Sequence, residues 1–170
     1  MTYFDSKLED EIATVFLPSF VFSVENLATE STQRGIEIAA LALVSDALRI
    51  DATYAYLDAE ENGREEIRRP PHTASLNIAW RAPEDRGGLA LTVRYNGDTF
   101  DSDFTDPFDF DKRVRLPDFT LVNLGTEWKP PTNTQRSARV ENLLDEEYEE
   151  VFTYRSPGIA AYAGARFTFR

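Results

Sequence analysis

Leu89-Ala90-Leu91-Thr92-Val93-Arg94-Tyr95-Asn96 is the stretch from which the rest of the chain is read. Successive side chains of an extended strand point to opposite faces, so Leu89, Leu91, Val93 and Tyr95 share one side and Ala90, Thr92, Arg94 and Asn96 the other. One side is apolar and the other wet. The same period of two recurs in both directions along the chain. Upstream, Ala74, Leu76, Ile78 and Trp80 oppose Thr73, Ser75 and Asn77, and Leu48, Ile50, Ala52, Tyr54 and Tyr56 oppose Arg49, Asp51 and Thr53. Downstream, Val122, Leu124, Thr126 and Trp128 oppose Leu121, Asn123, Gly125 and Glu127, and Ala161, Ala163, Ala165, Phe167 and Phe169 oppose Tyr162, Gly164, Arg166 and Thr168. No segment carries the 3.6-residue stripe of a long amphipathic helix, so the sequence reads as all-β.

Weaker segments at Tyr3–Ile12, Ser31–Val44 and Gln135–Leu144 bring the count to about eight strands of ~10 residues or more, the length that crosses a bilayer on a tilt. Strands of soluble domains average only ~5–6 residues. The connections alternate in length. Short turns fall at Ser45–Ala47, Ala82–Gly88 and Lys129–Thr134, and longer acidic connections at Ala13–Glu30, Asp58–Pro71, Gly97–Arg115 and Asp145–Gly158. Up-and-down threading places the two sets on opposite rims, as in outer-membrane barrels with short periplasmic turns and long outer loops. Trp80, Trp128, Phe167 and Phe169 then gather at one rim and Tyr54, Tyr56 and Tyr95 at the other, the pattern of interfacial aromatic girdles.

Composition narrows the function classes. The net charge of −12 and the lack of any Lys/Arg cluster argue against nucleic acid as a partner. The chain has no Cys, which removes disulfides, thiolate metal sites and Cys nucleophiles together. It has a single histidine, His72, so neither a His-based metal cluster nor a Ser-His-Asp triad can be assembled within one chain. No signature of an enzyme or of a bound cofactor is present. No run approaches the ~18 apolar residues of a membrane helix, so any membrane span must be β. Met1–Asp5 does not open a recognisable export signal.

The acidic connections hold the remaining candidates. Asp101, Asp103, Asp106, Asp109 and Asp111 are oxygen ligands of the type a hard cation takes, although their spacing fits no EF-hand and the plainer reading is a solvated loop. The interleaved Phe104, Phe108 and Phe110 suit contact with a ligand or with neighbouring loops. Glu146, Glu147, Glu149 and Glu150 form a second acidic run, and Arg64, Arg68 and Arg69 lie beside Glu60, Glu61, Glu65 and Glu66 as expected loop-stiffening ion pairs.

Arg139-Val140-Glu141-Asn142-Leu143-Leu144-Asp145-Glu146-Glu147-Tyr148, then Tyr154-Arg155-Ser156-Pro157-Gly158, then the closing Ala161 to Phe169 together resemble the C-terminal signature of TonB-dependent receptors. Gly35-Ile36-Glu37, Tyr54 to Ala59, and Arg68-Arg69-Pro70-Pro71-His72 with Asn77 are similar in order and spacing to the preceding hairpins, nearest to the cobalamin-transporter-like members. The resemblance implies a barrel of about twenty-two strands enclosing an N-terminal plug, of which residues 1–170 supply about the last eight strands and no plug. It implies an outer-membrane location in a Gram-negative cell, import of a scarce small-molecule ligand such as an iron-siderophore complex or cobalamin, and energy from the TonB complex through the full-length receptor. Asn142 and Glu141 are expected to orient the turn into the last loop.

On this reading Leu76, Ile78, Trp80, Leu89, Leu91, Val93, Val122, Leu124, Trp128, Phe167 and Phe169 face lipid. Arg49, Asp51, Asn77, Arg94, Asn96, Arg139, Glu141 and Arg166 face the lumen, where a plug would pack. Two features depart from the family. Arg170 follows the terminal aromatic Phe169, and Arg136 stands where a lipid-facing apolar residue is usual. Two rival readings share the alternation. One is a soluble lipocalin-like barrel with its apolar faces turned inward, and the other a small stand-alone outer-membrane barrel.

Overall fold

The computed structural model describes residues 1–17, 21–106, 109, 112–131 and 133–169. In chain order the strands are β1 (Thr2–Leu17), β2 (Val21–Ser45), β3 (Leu48–Glu61), β4 (Arg64–Glu65), β5 (His72–Arg81), β6 (Gly87–Asn96), β7 (Thr99–Ser102), β8 (Arg113–Leu116), β9 (Phe119–Trp128), β10 (Thr134–Glu141), β11 (Glu149–Val151), β12 (Tyr154–Arg155) and β13 (Ala160–Phe167). The order across the main sheet is β1-β2-β3-β5-β6-β9-β10-β13, with β4 attached to β3. Every pairing on that path is antiparallel. Those eight strands are the up-and-down meander that the alternation predicts, and the sheet is open, with β1 and β13 as its edges. Among the described residues no helix is long and apolar enough to cross a membrane.

Register converts the alternation of single strands into two continuous faces, because residues directly opposite one another share a face. Ala42, Ile50, Ile78, Leu91, Leu124, Val140 and Ala161 stand in one row, and Ala40, Ala52, Leu76, Val93 and Val122 in the next. On the opposite face Leu41, Asp51, Asn77, Thr92 and Asn123 align, and beside them Leu43, Arg49, Ala79, Ala90, Gly125, Arg139 and Tyr162. A shift of one residue anywhere in the ladder would exchange the two faces.

Four regions differ from expectation. The anticipated connection Ala13–Glu30 is mostly paired strand, since β1 runs on to Leu17 and β2 begins at Val21, with a register shift between Glu9 and Glu11. The pairing continues because the β-branched and aromatic residues of this stretch suit an extended ladder, and Asp10 at φ 54° takes up the irregularity. The connections Gly97–Arg115 and Asp145–Gly158 carry their own hairpins, β7–β8 and β11–β12. The last strand ends at Phe167, leaving Phe169 beyond it and 90% exposed.

Two local features fix the geometry. Gly35 lies between Phe4 and Leu57 across the β1-β2-β3 ladder, and a Cβ there would come 2.2 Å from the Tyr56 carbonyl oxygen and 2.7 Å from the Phe4 ring. Asn142, 5% exposed and at φ 49°, ends β10 and organises the last long connection. Its Oδ1 accepts from the Glu146 amide at 2.9 Å, and its Nδ2 donates to the carbonyls of Glu146 at 2.9 Å and Pro157 at 3.3 Å. Its own amide donates to Asn123 Oδ1 at 2.9 Å, tying the turn back to β9. That is the turn-orienting role expected of it.

Gly35→Ala should lower stability by roughly 1–3 kcal/mol, because the methyl group meets backbone as well as a ring. Asn142→Ala should cost a similar ~1–3 kcal/mol by leaving buried groups at both ends of the connection unpaired. Urea midpoints of the detergent-refolded chain test both, and an unchanged midpoint in either variant contradicts the corresponding packing account.

Candidate functional site

The polar face of the main sheet surrounds a hollow of about 820 Å³. Its wall draws Leu43 from β2, Arg49 from β3, Ala79 from β5, Ala90 from β6, Gly125 from β9, Arg139 from β10 and Tyr162 from β13. A single hollow can touch so many strands of one sheet only if the sheet curls; polar-face residues make up most of its wall, and Leu48, Trp80, Leu89, Thr126, Ala138 and Ala163 of the other face also border it. The small side chains of Ala79, Ala90 and Gly125 leave the middle of the wall shallow. Charged groups flank them. Arg49 pairs with Asp51 at 2.7 Å, Arg139 with Glu141 at 3.2 Å, and the Arg139 guanidinium lies 4.4 Å from the centre of the Tyr162 ring. Arg49, Asp51, Asn77, Arg94, Asn96, Arg139, Glu141 and Arg166 all fall on this polar side of the ladder, by register or by the alternation of β10.

The apolar face is open. Trp80 is 41% exposed, Leu89 48% and Trp128 51%, far above what a closed water-soluble core permits. Leu76, Ile78, Leu91, Val93, Val122 and Leu124 lie in the central rows of that face, and Phe167 stands opposite Thr134 at the short-turn end. The Arg136 guanidinium sits 5.2 Å from the centre of the Trp128 ring, two residues from the start of β10, so this cation is at the rim of the apolar face rather than in its middle. At the other end Tyr54 and Tyr56 meet His72. The Tyr54 hydroxyl lies 2.9 Å from His72 Nδ1, and the rings of Tyr56 and His72 are 5.2 Å apart.

The long connections gather at that tyrosine end. Asp101 of β7 is fully buried, and its carboxylate accepts from Arg68 Nε at 2.8 Å, the Ser102 amide at 2.8 Å and the Phe152 amide at 2.7 Å. Burial alone would push this carboxyl up, but the hydrogen bonds from the Phe152 amide, the Arg68 guanidinium and the Ser102 amide outweigh it and hold the group below the ordinary carboxylate value. Asp103 is likewise held low, by the Thr105 hydroxyl and then by Lys112 at 2.9 Å. Lys112 also reaches Asp106 at 3.6 Å. The described aspartates of this run therefore do not converge. Asp101 and Asp103 direct their oxygens to separate partners, Asp111 lies outside the described residues, and no group of three His, Asp or Glu side chains among the described residues is placed to hold a metal ion.

The ion pairs expected within Glu60–Arg69 form only in part. Arg69 pairs with Glu66 at 3.3 Å, but Arg68 leaves its own connection to reach Asp101. Sequence spacing favours near neighbours and carries no signal for that partnership. Phe104 touches Phe152 and Tyr154, with ring centres 6.2 and 6.3 Å apart, while Phe108 and Phe110 lie outside the described residues.

Comparison with known proteins agrees with this geometry. Residues 1–143 match the family described as TonB dependent receptor-like, beta-barrel. The chain is 28% identical over 142 residues to the vitamin B12 transporter BtuB of Photobacterium profundum, covering 82% of this chain and 22% of that protein. It is 28% identical over 140 residues to the metal-pseudopaline receptor CntO of Pseudomonas aeruginosa, covering 74% of this chain and 18% of the receptor. The pyoverdine outer membrane receptor FpvA of Pseudomonas aeruginosa PAO1 superposes with a TM-score of 0.79 at 14% identity, over 98% of this chain and 26% of FpvA. The chain thus spans about a fifth of the curated relatives it matches. With its meander, its two-faced ladder and its match over most of its length, the chain belongs to the TonB-dependent receptor β-barrel family, a family of receptors and not of enzymes.

Proposed function

We propose that residues 1–170 form the C-terminal portion of an outer-membrane TonB-dependent receptor, an active importer of a scarce nutrient such as an iron-siderophore complex or cobalamin in a Gram-negative cell. The apolar face of Leu76, Ile78, Leu89, Leu91, Val93, Val122 and Leu124 turns to lipid, and the polar hollow is a sector of the lumen. The plug and the N-terminal barrel strands are supplied from outside these residues, and coupling to the TonB complex runs through the full-length receptor. The observation that carries this reading is the exposure of the apolar face, where Trp80, Leu89, Leu124 and Trp128 are 40–51% exposed. A lipocalin-like barrel needs the reverse.

Dimensions support it. On β6 the level of Trp128 is Gly87 and the level of His72 is Gly97. Ten steps at ~3.3 Å make about 33 Å along the strand, or about 25 Å along the normal of a strand tilted by ~40°, close to the apolar band of such barrels. Trp80, Trp128 and Phe167 mark the periplasmic girdle, and Tyr54, Tyr56 and Tyr95 the outer one. Phe169, beyond the last strand, joins the periplasmic girdle. At that rim Arg136 can snorkel, at a cost of about 0–1 kcal/mol.

Leu91→Arg and Thr92→Arg test the assignment on adjacent residues of one strand. Leu91→Arg puts a cation at mid-depth in lipid and should cost ~2–4 kcal/mol and abolish outer-membrane assembly, whereas Thr92→Arg points into water and should assemble normally. Equal tolerance of the two, or a wild-type chain that is monomeric in buffer without detergent, refutes the reading. With assembly established, growth on limiting cobalamin or limiting ferric siderophore, in cells lacking other receptors, tests import and identifies the ligand class.

A further inference from the structure

We propose that Asp101 is a buried latch that makes the last three long connections move as one body. The residues involved come from separate parts of the chain. Arg68 lies between β4 and β5, Asp101 in β7, and Phe152 in the turn between β11 and β12. All three meet at one carboxylate, which is itself 0% exposed. A carboxylate stripped of water needs its lone pairs filled by protein donors, and here two of the three donors, Arg68 Nε at 2.8 Å and the Phe152 amide at 2.7 Å, belong to other connections.

Secondary contacts follow the same seam. The Arg68 amide donates to the Phe100 carbonyl at 2.7 Å, so Arg68 is bound to β7 through both backbone and side chain. Arg113 of β8 donates to the Glu65 carbonyl, and its guanidinium lies 4.8 Å from the centre of the Phe100 ring. Phe104 packs edge-on against Phe152. By contrast, the ion pair between Asp98 and Arg115, at 2.8 Å, stays within the β7–β8 hairpin. Removing the Asp101 carboxylate therefore takes away a junction shared by three connections, and removing Asp98 takes away a bond within one. The inference does not depend on which ligand is imported or on whether import occurs.

Each connection carries a trypsin site, at Arg68, at Lys112 and Arg113, and at Arg155. The test is limited trypsinolysis of the full-length protein in outer-membrane fragments, with cut sites read by mass spectrometry and sheet content checked by circular dichroism. Asp101→Asn replaces an acceptor that serves three donors by a group that is half donor. Cutting at all three places should rise together, by roughly tenfold or more, because cleavage tracks the population of the opened state. Asp98→Asn should raise cutting at Lys112 and Arg113 alone. If Asp101→Asn fails to assemble, Arg68→Lys decides, since it keeps the first site and loses the Nε donor. It should then raise cutting at Arg155, in the β11–β12 hairpin, by severalfold. An Asp101→Asn protein cut faster only between β7 and β8, or an Arg68→Lys protein with an unchanged Arg155 site, overturns the latch.

Discussion

The antiparallel ladder from β1 to β13 is the constraint on which everything else rests, because the backbone amides and carbonyls of each strand find their partners in the next. The same ladder fixes which side chains share a face, so hydrogen bonding and amphipathicity are one requirement here. Leu76 beside Val93 and Asn77 beside Thr92 are the two outcomes of a single register. The two edge strands are where the constraint is left unmet within these residues, and their outward amides and carbonyls are the natural partners of further strands of a larger barrel.

Curvature turns the two-faced sheet into something with an inside. Glycine and alanine in the row Ala79-Ala90-Gly125 keep the polar face uncrowded where the sheet curls, while bulky Leu, Ile and Trp side chains spread on the apolar face. The polar side chains within the wall are largely paired with one another, as in Arg49–Asp51 and Arg139–Glu141. A wall of this kind offers charged and hydrogen-bonding groups to an enclosed domain without leaving bare charge facing it. Above the tyrosine level the ladder goes on only through β1, β2 and β3 and in short hairpins, and specific side-chain bonds tie the separate connections together. Asp101 and Asn142 are the two buried polar groups that do most of this ordering.

Much of this was legible in the residues. Alternation around Leu91, Ile78 and Leu124 gave the faces, and the alternating lengths of the connections gave the threading. Arg139 to Tyr148 carried the family resemblance and pointed to Asn142 as the residue that shapes the last turn. Less legible was the first hairpin. Charged residues such as Glu25 and Glu30 in Ala13–Glu30 read as a solvated loop, yet the backbone pairs through them, because ladder hydrogen bonds are made by the backbone and tolerate exposed charge on either face. The short hairpins β7–β8 and β11–β12 were missed for a related reason, since strands this brief carry too few alternations to register.

What the sequence by itself determined, then, is local and periodic: two-sided strands, their number, their direction, and the rims on which aromatic residues fall. Those properties need only the geometry of an extended chain, which places neighbours in sequence on opposite faces. The tertiary structure alone decided which residues of separate strands stand in one row, and which acidic residue is a buried acceptor instead of a solvated charge. Nothing in the run Asp101-Ser102-Asp103 distinguishes its two carboxylates, and only the arrival of Arg68 and Phe152 from distant connections does so, because burial and donor supply are properties of a place in space and not of a position in the chain.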